Sequence, residues 1–260
     1  MMTGIRENEL MDAADLLLDA RRTGTPIADL PEALRPVTQD EAYFVQDLMA
    51  AAYEEIGGWK IGAATPEATP AFAPMPRNWI AASGAQLTDL PGSKKWRYRG
   101  LEAEIAFLMG EDLPPRAAPY TREEIVAAIA SCHPAIEVLE SGLADPETAA
   151  TLSKQADLQM HGGFVYGPAY ADWRSIDFSA ETVVLAVDGA VRVERTGSNT
   201  SGDLMRLLPY LANEGAARTG GLRRGDWITT GSWTGNVQTQ AGSSVDVRFG
   251  TAGRVELRFG

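Results

Sequence analysis

Three glutamates stand out because they interrupt segments that otherwise have the character of buried strands. Glu102 and Glu104 lie two positions apart in GLEAEIAFLMG (100–110), and Glu137 interrupts HPAIEVLES (133–141). Side chains at positions i and i+2 of a strand project from the same face. Glu102 and Glu104 therefore share one face, and the apolar residues that alternate with them belong to the core.

Two interpretations of these acids are open from the residues alone. Burying an unpaired carboxylate costs several kcal/mol or shifts its pKa toward neutrality, and three converging carboxylates repel unless a cation neutralises them. Hard oxygen ligands suit Mg²⁺ or Mn²⁺, and the chain has no cysteine or histidine cluster for zinc. Glu102, Glu104 and Glu137 are thus either a divalent-cation site or a set of solvated surface acids.

Lys60 and His161 are the candidates for acid and base chemistry. Lys60 lies in GWKIGA, where flanking glycines permit close backbone approach. A lysine near a bound oxyanion can hold substrate charge or move protons, whereas a lysine on a solvent face does neither. His161 precedes a Gly-Gly pair, so it is either an accessible acid or base or an incidental polar loop residue.

The segment TTGSWTGN (229–236) gathers hydroxyl groups and glycines after a predicted strand. Backbone N–H groups in such a loop can hold a carboxylate, which makes Thr230, Gly231 and Ser232 candidates for substrate binding. A simple turn is the alternative. The chain contains no GxxxxGK[ST] motif and no GxGxxG motif after a strand, so a nucleotide-binding loop is not supported.

The composition bounds the class of protein. The 260 residues include 35 acidic and 23 basic side chains, and the formal charge of -12 repels nucleic acids and anionic membrane surfaces. The single cysteine, Cys132, excludes an internal disulfide, and we expect a buried, inert thiol. We interpret His133 as structural.

The start lacks a signal peptide and no apolar run approaches the roughly 20 residues that span a bilayer, so we expect a cytoplasmic protein.

Helices are predicted at the start of the chain. Residues 5–22 have apolar positions at helical spacing, and Thr38 with Glu41 forms a possible capping box for a second helix. Later helices are predicted in TREEIVAAIASC, in DPETAATLSKQAD as a helix or ordered loop, and in an amphipathic segment that begins at Ser201, where Pro209 forces a kink or an early end.

Strands are predicted over most of the remaining chain. They lie in GWKIGA, NWIAASGAQLTDLPG (with a turn), LEAEIAFLMG, HPAIEVLES, GGFVYG, the hairpin VVLAVDGAVRVER, WITTGS, SVDVRFG and RVELRFG. Residues 65–76 show no clear period. Because strands and helices do not alternate regularly, a doubly wound parallel sheet is disfavoured. We predict an α+β chain whose body is a closed or rolled mixed sheet.

Five stretches in order make the chain resemble the 2-keto-4-pentenoate (2-hydroxypentadienoate) hydratase and 4-oxalocrotonate decarboxylase group of the fumarylacetoacetate hydrolase superfamily. They are ARRTGTPIADL with EAYFVQ, GWKIG, LEAEIAFLM, PAIEVLES, and LLPYLAN followed by LRRGDWITTGS. These stretches run along nearly the whole chain. Together they are quite specific for the superfamily.

The resemblance implies a small helical N-terminal segment and a mixed β-roll catalytic domain like the fumarylacetoacetase C-terminal domain. We divide the chain accordingly into residues 1–95, which include the lysine strand, and residues 96–260. It also implies Mg²⁺ or Mn²⁺ bound by Glu102, Glu104 and Glu137 and chelated by a 2-oxo acid, with Lys60 assisting charge or proton transfer. Homo-oligomers are usual in this group.

Two tracts depart from the pattern of the group. Pro76-Arg77-Asn78-Trp79 stands where Pro-Asp-Phe-Gly is usual, and DLQMHG (157–162) stands where Asp-Asn-Ala-Ser-Ser-Gly is usual. His161 falls at a serine position and could replace that serine as a proton carrier. Arg77 could bind a second substrate carboxylate.

The resemblance implies a hydratase-like lyase that adds water to a small 2-oxo or 2-hydroxydienoic acid through a metal-stabilised enolate, as in aromatic catabolism. The alternatives are decarboxylation of a vinylogous 2-oxo diacid, acylpyruvate hydrolysis or 2-oxo diacid tautomerisation, and a non-catalytic partner subunit. Hydrolases of the superfamily tend to use a histidine and a glutamate on an N-terminal lid, but no histidine precedes His133. The intact carboxylates and Lys60 argue against a pure scaffold.

Overall fold

The computed structural model describes residues 4–53, 55–88 and 96–260. The helices are α1 (Gly4–Thr23), α2 (Gln39–Ala51), α3 (Arg122–Ala128), α4 (Thr151–Ala156) and α5 (Leu207–Tyr210). The strands are β1 (Ile56–Gly62), β2 (Ala71–Pro76), β3 (Ile80–Ala82), β4 (Ala85–Leu87), β5 (Gly100–Met109), β6 (Ile129–Leu139), β7 (His161–Tyr166), β8 (Thr182–Val187), β9 (Ala190–Thr196), β10 (Trp227–Thr229), β11 (Val237–Gln238), β12 (Ser244–Phe249) and β13 (Gly253–Phe259).

Two mixed sheets form the body of the molecule. One has eight strands in the order β2-β1-β10-β5-β6-β7-β3, with β11 also paired to β5, and the other has five in the order β4-β13-β12-β8-β9. Strands β12 and β13 pack across β6, and apolar side chains of both sheets share one core. The predicted α+β class with a mixed β-roll is confirmed.

The alternation along β5 decides which side chains enter this core. Leu101, Ala103, Ile105 and Phe107 are all fully buried in it, as the period of two predicts. The opposite face carries the two glutamates. That face is also covered, because Ala106 packs there with Met75, Phe164 and Trp227.

The first two helices form a smaller core with α4. Residues such as Leu10, Leu17, Val45 and Met49 are fully buried within it. The predicted helix at 5–22 is confirmed. None of the described helices has the length and apolar character needed to cross a membrane.

Two caps differ from the pattern that the sequence indicates. Thr38 accepts a hydrogen bond from the Glu41 N–H, and the Glu41 carboxylate accepts from the Val37 N–H and also pairs with Arg6 of α1. At the segment predicted to begin at Ser201, that hydroxyl accepts from the Ala63 N–H, and Asp203 caps the turn that follows. The chain just after β1 thus competes with the local helix for the Ser201 hydroxyl.

Three predicted segments have different bounds in the structure. The helix predicted through Cys132 ends at Ala128, because Ile129 onward pairs with β5. The segment from Ser201 is a series of short turns with a π-helical stretch at Leu211–Gly215 after Pro209. Residues 71–76 form strand β2, whose prolines are tolerated because β2 is an edge strand. The hairpin at Asp188-Gly189 is confirmed, with positive φ at both turn residues.

The eight-stranded sheet runs across the division predicted at residues 95 and 96. Lys95 and the turn at 89–92 lie outside the described residues. Strands β1 to β4 precede that point, yet β1 pairs with β10, β3 with β7 and β4 with β13. The lysine strand is thus part of the same sheet as the glutamate strands.

Arg21 ties α1 to the segment that precedes β7. Its Nε lies 2.5 Å from Asp157 Oδ1, and its remaining nitrogens donate to the carbonyl oxygens of Glu140, Asp157 and His161. The side chains of Arg21 and Asp157 are 1% and 0% exposed. Asp157 Oδ2 accepts from the Ser141 hydroxyl and the Gly142 N–H, so the buried pair is satisfied on both sides.

We expect Arg21→Met to lower the free energy of unfolding by about 3 to 5 kcal/mol, because it leaves the Asp157 charge buried without its partner. The matched control is Arg22→Met, which removes an exposed pair with Asp19 and should change stability by less than about 1 kcal/mol. Urea denaturation of both variants measures the difference. Equal losses in the two variants would contradict the structural role of Arg21.

Candidate active site

Four adjacent strands bring the predicted acids and the lysine to one place. In the order β1, β10, β5, β6, the register sets Lys60 opposite Thr229 and Glu102 opposite Glu137. Glu104 lies two residues further along β5, on the same face as Glu102. Sheet pairing, and not sequence proximity, therefore assembles the cluster.

The three glutamates converge within a small volume. Each offers a carboxylate oxygen, and these oxygens lie within 4.8 Å of one another. Glu104 is 1% exposed, Glu137 is 0% exposed and Glu102 is partly buried. The interpretation as solvated surface acids is wrong for Glu104 and Glu137.

Glu104 is held by the segment that follows β10. Its Oε2 accepts hydrogen bonds from the Thr229 hydroxyl and from the Gly231 N–H, the latter at 2.8 Å. Gly231 has a φ of 87°, and a Cβ there would lie 3.4 Å from Gly62 Cα. Glycine at 231 thus allows both the left-handed backbone and the close approach to β1.

Glu137 is held on one oxygen only. Its Oε1 lies 2.6 Å from Lys60 Nζ and 2.9 Å from His161 Nδ1. Its Oε2 is buried and has no hydrogen-bond partner among the described residues. A buried carboxylate oxygen without a partner is unfavourable, and a bound cation would satisfy it.

The electrostatics follow from burial and from this unequal pairing. Burial and the charge of Glu137 raise the pKa of Glu102 to about 7, against the opposing charge of Lys60. Burial and the other two acids raise the pKa of Glu104 well above its ordinary range. Burial also opposes ionisation of Glu137, but the Lys60 charge and the His161 hydrogen bond lower the pKa of that carboxyl.

Lys60 carries the positive charge within the cluster. Burial by itself would lower the pKa of Lys60, but Glu137 and Glu102 raise it above its ordinary value. One cation faces three carboxyls, so the cluster is short of positive charge when all are ionised. The hard oxygen donors, the repulsion and the unpartnered Oε2 of Glu137 all fit a divalent cation.

The backbone beside Lys60 has an unusual conformation. Lys60 Nζ donates to the Gln159 carbonyl oxygen at 3.0 Å. Leu158, Gln159 and Met160 all have positive φ, at 49°, 50° and 63°. Non-glycine residues seldom adopt this conformation, so the surrounding contacts, Arg21 among them, must hold it.

A cavity of about 470 Å³ opens at the cluster. Its polar lining includes Lys60, Glu102, Glu104 and Ser232, and alanines 63, 64, 68 and 71 form an apolar wall. Arg195 of β9 lines the same cavity. The eight-stranded sheet thus supplies the acids and the lysine, and the hairpin of the other sheet supplies an arginine.

The structure does not bring Arg77 to this cavity. Strand β2 runs antiparallel to β1, so Arg77 follows β2 beside Ile56, at the opposite end of β1 from Gly62. There it pairs with Glu55 at 3.0 Å and Asp226 at 3.4 Å. The expectation that Arg77 meets a second substrate carboxylate is corrected by this topology.

The candidate loop after β10 is used mainly to build the site. The Thr230 hydroxyl donates to the Ile105 carbonyl oxygen, and the Gly231 N–H is taken by Glu104. Gly231 and Ser232 line the cavity, whereas Thr230 is fully buried. Ser232 thus lies at the cavity, and its buried hydroxyl lowers the pKa of Glu102, against the effect of burial.

His161 is fully buried and is not among the residues that line the cavity. His133 also lies away from it, with Nδ1 bonded to the Gly167 carbonyl oxygen, consistent with a structural role. Burial raises the pKa of the Cys132 thiol to about 12, as expected for an inert cysteine.

Four residues of the site have no clear signal in the sequence. Thr229 is the first residue of TTGSWTGN (229–236) but not one of its predicted substrate-binding residues, and no local pattern indicates its contact with Glu104. Gln159 acts through its backbone carbonyl, and Arg21 and Arg195 are ordinary members of a helix and a hairpin. The three glutamates of the cluster outnumber Lys60, and this imbalance indicates that further positive charge is needed beside them.

Comparison with known proteins agrees with this geometry. Residues 50–259 match the fumarylacetoacetate (FAA) hydrolase C-terminal family. The chain belongs to this family. It is 27% identical to the 2-keto-4-pentenoate hydratase of Burkholderia vietnamiensis, over 97% of this chain and 98% of that protein.

A solved family relative has the same fold over its whole length. The 4-oxalocrotonate decarboxylase from Pseudomonas putida G7, complexed with magnesium and adipate, matches with a TM-score of 0.80 at 22% identity, covering 100% of this chain and 99% of that one. The same enzyme complexed with calcium and acetate matches with a TM-score of 0.79. The predicted resemblance is confirmed, and relatives named as hydratases support the prediction of an enzyme.

We expect the metal-free protein to lose stability as the pH rises, because of Glu102. Its pKa is about 7 in the folded protein and 4.5 ordinarily, so the folded state binds this proton more tightly. The stabilisation is present below about pH 4.5 and is lost as the pH rises through about 7. Glu102→Gln has no such titration, so it should be nearly as stable as the wild type at about pH 5 and more stable by about 3 kcal/mol at about pH 8.

Urea denaturation with a chelator, at both pH values, measures this difference. Glu111→Gln, which changes an exposed acid just after β5, is the control and should follow the wild type. A stability difference between Glu102→Gln and the wild type that does not grow with pH would contradict the raised pKa.

Proposed function

We propose that the chain is a divalent-cation-dependent hydro-lyase that adds water to a small 2-oxo or 2-hydroxydienoic acid. The observation that carries the proposal is the convergence of Glu102, Glu104, Glu137 and Lys60 in one cluster, of which Lys60, Glu102 and Glu104 line the cavity. Relatives named 2-keto-4-pentenoate hydratase over nearly the whole chain support this chemistry. The calcium and magnesium complexes of the structural neighbour support a divalent cation.

Glu102, Glu104 and Glu137 are the residues that would hold the cation, and we favour Mg²⁺ or Mn²⁺ because all donors are hard oxygens. When bound, such an ion polarises the carboxylate and the 2-oxo group of the acid. The protein prepares the site by fixing Glu104 with Thr229 and Gly231, and by leaving Glu137 Oε2 without a partner.

Lys60 is the proposed proton carrier. Its ammonium has three N–H donors, of which one is directed to Glu137 and one to the Gln159 carbonyl oxygen. One donor is left for the substrate, and Lys60 lines the cavity. The ammonium can therefore hold negative charge on the substrate or deliver a proton to it.

The rest of the cavity suits the hydrocarbon part of the acid. Ala63, Ala64, Ala68 and Ala71 present small apolar side chains. Hydration of a conjugated enone places the hydroxyl of water on the carbon distal to the 2-oxo group and a proton on the carbon between them. The alanine wall leaves space for this chain and for the attacking water.

Glu104→Gln should abolish cation-dependent turnover, by more than about 100-fold, because it removes one charge from the ligand set. Its amide oxygen can still accept from Thr229 and Gly231, so the N–H₂ group takes the place of the carboxylate oxygen that is free for the cation. The measurement is product formation from a panel of 2-oxo enoates with Mg²⁺, followed by NMR. Glu111→Gln is again the control. Full turnover in Glu104→Gln would contradict the proposed cation site.

The same NMR panel separates the reaction types. Hydration gives a hydroxy acid, decarboxylation releases carbon dioxide from a diacid, and hydrolysis of an acylpyruvate breaks a C–C bond. Absence of any reaction, together with absence of Mg²⁺ and Mn²⁺ binding by calorimetry, would favour a non-catalytic partner subunit.

Arg195 favours a second candidate, the decarboxylation of a vinylogous 2-oxo diacid. It lines the cavity but comes from the hairpin of the other sheet, where it pairs in register with Val183. Neither a salt bridge nor a hydrogen bond engages its guanidinium among the described residues. An arginine without a carboxylate partner in the lining of this cavity would recognise a second substrate carboxylate.

We expect Arg195→Gln to lower kcat/KM for a 2-oxo diacid by about 10-fold to 100-fold while changing that for the corresponding monoacid by less than about threefold. Arg192→Gln is the matched control, since Arg192 lies on the same strand but does not line the cavity. Kinetic assays of both substrates with both variants provide the measurement. Equal effects of Arg195→Gln on the two substrates would exclude a distal carboxylate at Arg195.

A further inference from the structure

His161 is enclosed on every side that the structure describes. The side chain is 0% exposed, and its ring stacks on Trp79 with a centroid distance of 5.7 Å and an interplanar angle of 22°. Its carbonyl oxygen accepts from Arg21, which fixes the backbone at the start of β7. The ring therefore has little freedom to rotate or to reach a ligand.

The hydrogen bond to Glu137 defines the tautomer of His161. An ionised carboxylate can only accept, so His161 Nδ1 carries the proton that it shares with Glu137 Oε1 at 2.9 Å. His161 Nε2 has no hydrogen-bond partner among the described residues. A neutral ring with its proton on Nδ1 satisfies the contact that the structure contains.

Two donors then meet on the same oxygen of Glu137. Lys60 Nζ lies 2.6 Å from Oε1, and His161 Nδ1 approaches it as well. The two bonds fix the plane of the carboxylate, and Oε2 is the oxygen that they leave for a ligand. Hydrogen bonds of this kind orient the carboxylates that bind metal ions and contribute to the affinity of the site.

We propose that His161 is a positioning residue, whose Nδ1–H holds Glu137 Oε1 so that Oε2 is presented to the cation. This inference rests on the proposed function, because it assigns a role toward the same cation site. It replaces the role of proton carrier expected from the sequence. A buried ring outside the cavity lining does not reach the substrate directly, whereas it has direct contact with a proposed ligand residue.

Two substitutions separate this role from simple filling of space. The side-chain amide nitrogen of asparagine can occupy the place of Nδ1, whereas that of glutamine reaches toward the place of Nε2. We therefore expect His161→Asn to keep the bond to Glu137 and His161→Gln to lose it. His133→Asn is the control, since His133 lies on the neighbouring strand and bonds the Gly167 carbonyl oxygen instead.

The experiment is Mn²⁺ binding to the four proteins by calorimetry, without substrate. We expect His161→Gln to weaken Mn²⁺ binding by about 10-fold to 100-fold, and His161→Asn and His133→Asn to stay within about threefold of the wild type. Equal weakening by Asn and Gln would overturn the inference, because volume alone would then explain the loss. Unchanged binding in His161→Gln would overturn it as well.

A second measurement needs no variant. Nitrogen-15 NMR of the metal-free wild type reports which ring nitrogen of His161 carries the proton, and protonation at Nδ1 alone is the expected result. A proton on Nε2 would overturn the inference while leaving the cation site intact. Absence of Mn²⁺ binding by the wild type would instead overturn the proposed cation site, and the role of His161 with it.

Discussion

The site depends on one electrostatic constraint, which is the burial of like charges side by side. Two carboxylates 4.8 Å apart repel by about 3 kcal/mol at the effective dielectric typical of proteins, and here three carboxylates share that space. Lys60 compensates one of them directly, at 2.6 Å from Glu137. The protein keeps the other two in a state of raised pKa, and this state is one that a divalent cation relieves.

The fold supports this arrangement by making the surroundings of each acid different. Glu104 is held by a hydroxyl and a backbone N–H, Glu137 by a lysine and a histidine, and Glu102 lines the cavity. Three equivalent acids would share charge and protons evenly. Because the hydrogen-bond partners of the three carboxylates differ, they determine which carboxylate is ionised first and which carboxylate oxygens face a ligand.

Much of this could be predicted from local patterns, and the remainder depends on contacts between distant segments. Alternation along 100–109 places Glu102 and Glu104 on one face, and the apolar run at 133–141 indicates that Glu137 is buried. The partner of Glu104 at Thr229 is 125 residues away in the chain, so no local pattern could indicate it. Arg77 shows the opposite error, because it was predicted from its place in a tract of the family pattern, and the antiparallel return of β2 places it at the far end of β1 from the cavity.

Tertiary contacts also overrode local preferences in several elements. Residues 129–132 have helical neighbours but join a long strand, because β5 offers partners to Ile129, Ser131 and Cys132, with a bulge at Ala130. The prolines of β2 weaken any strand signal, and only the edge position makes them compatible with pairing. The segment from Ser201 has the composition of one amphipathic helix, yet its polar groups are drawn to β1 and the chain breaks into short turns.

The bond between Arg21 and Asp157 links the first helix to the site across 136 residues of chain. The loop that it holds carries the carbonyl oxygen that fixes Lys60, and it leads directly into His161. During synthesis the first helix emerges early, but its buried arginine lacks its carboxylate partner until residue 157 has been made. A chain truncated before residue 157 would consequently lack both the charge that compensates Arg21 and the carbonyl oxygen that binds Lys60.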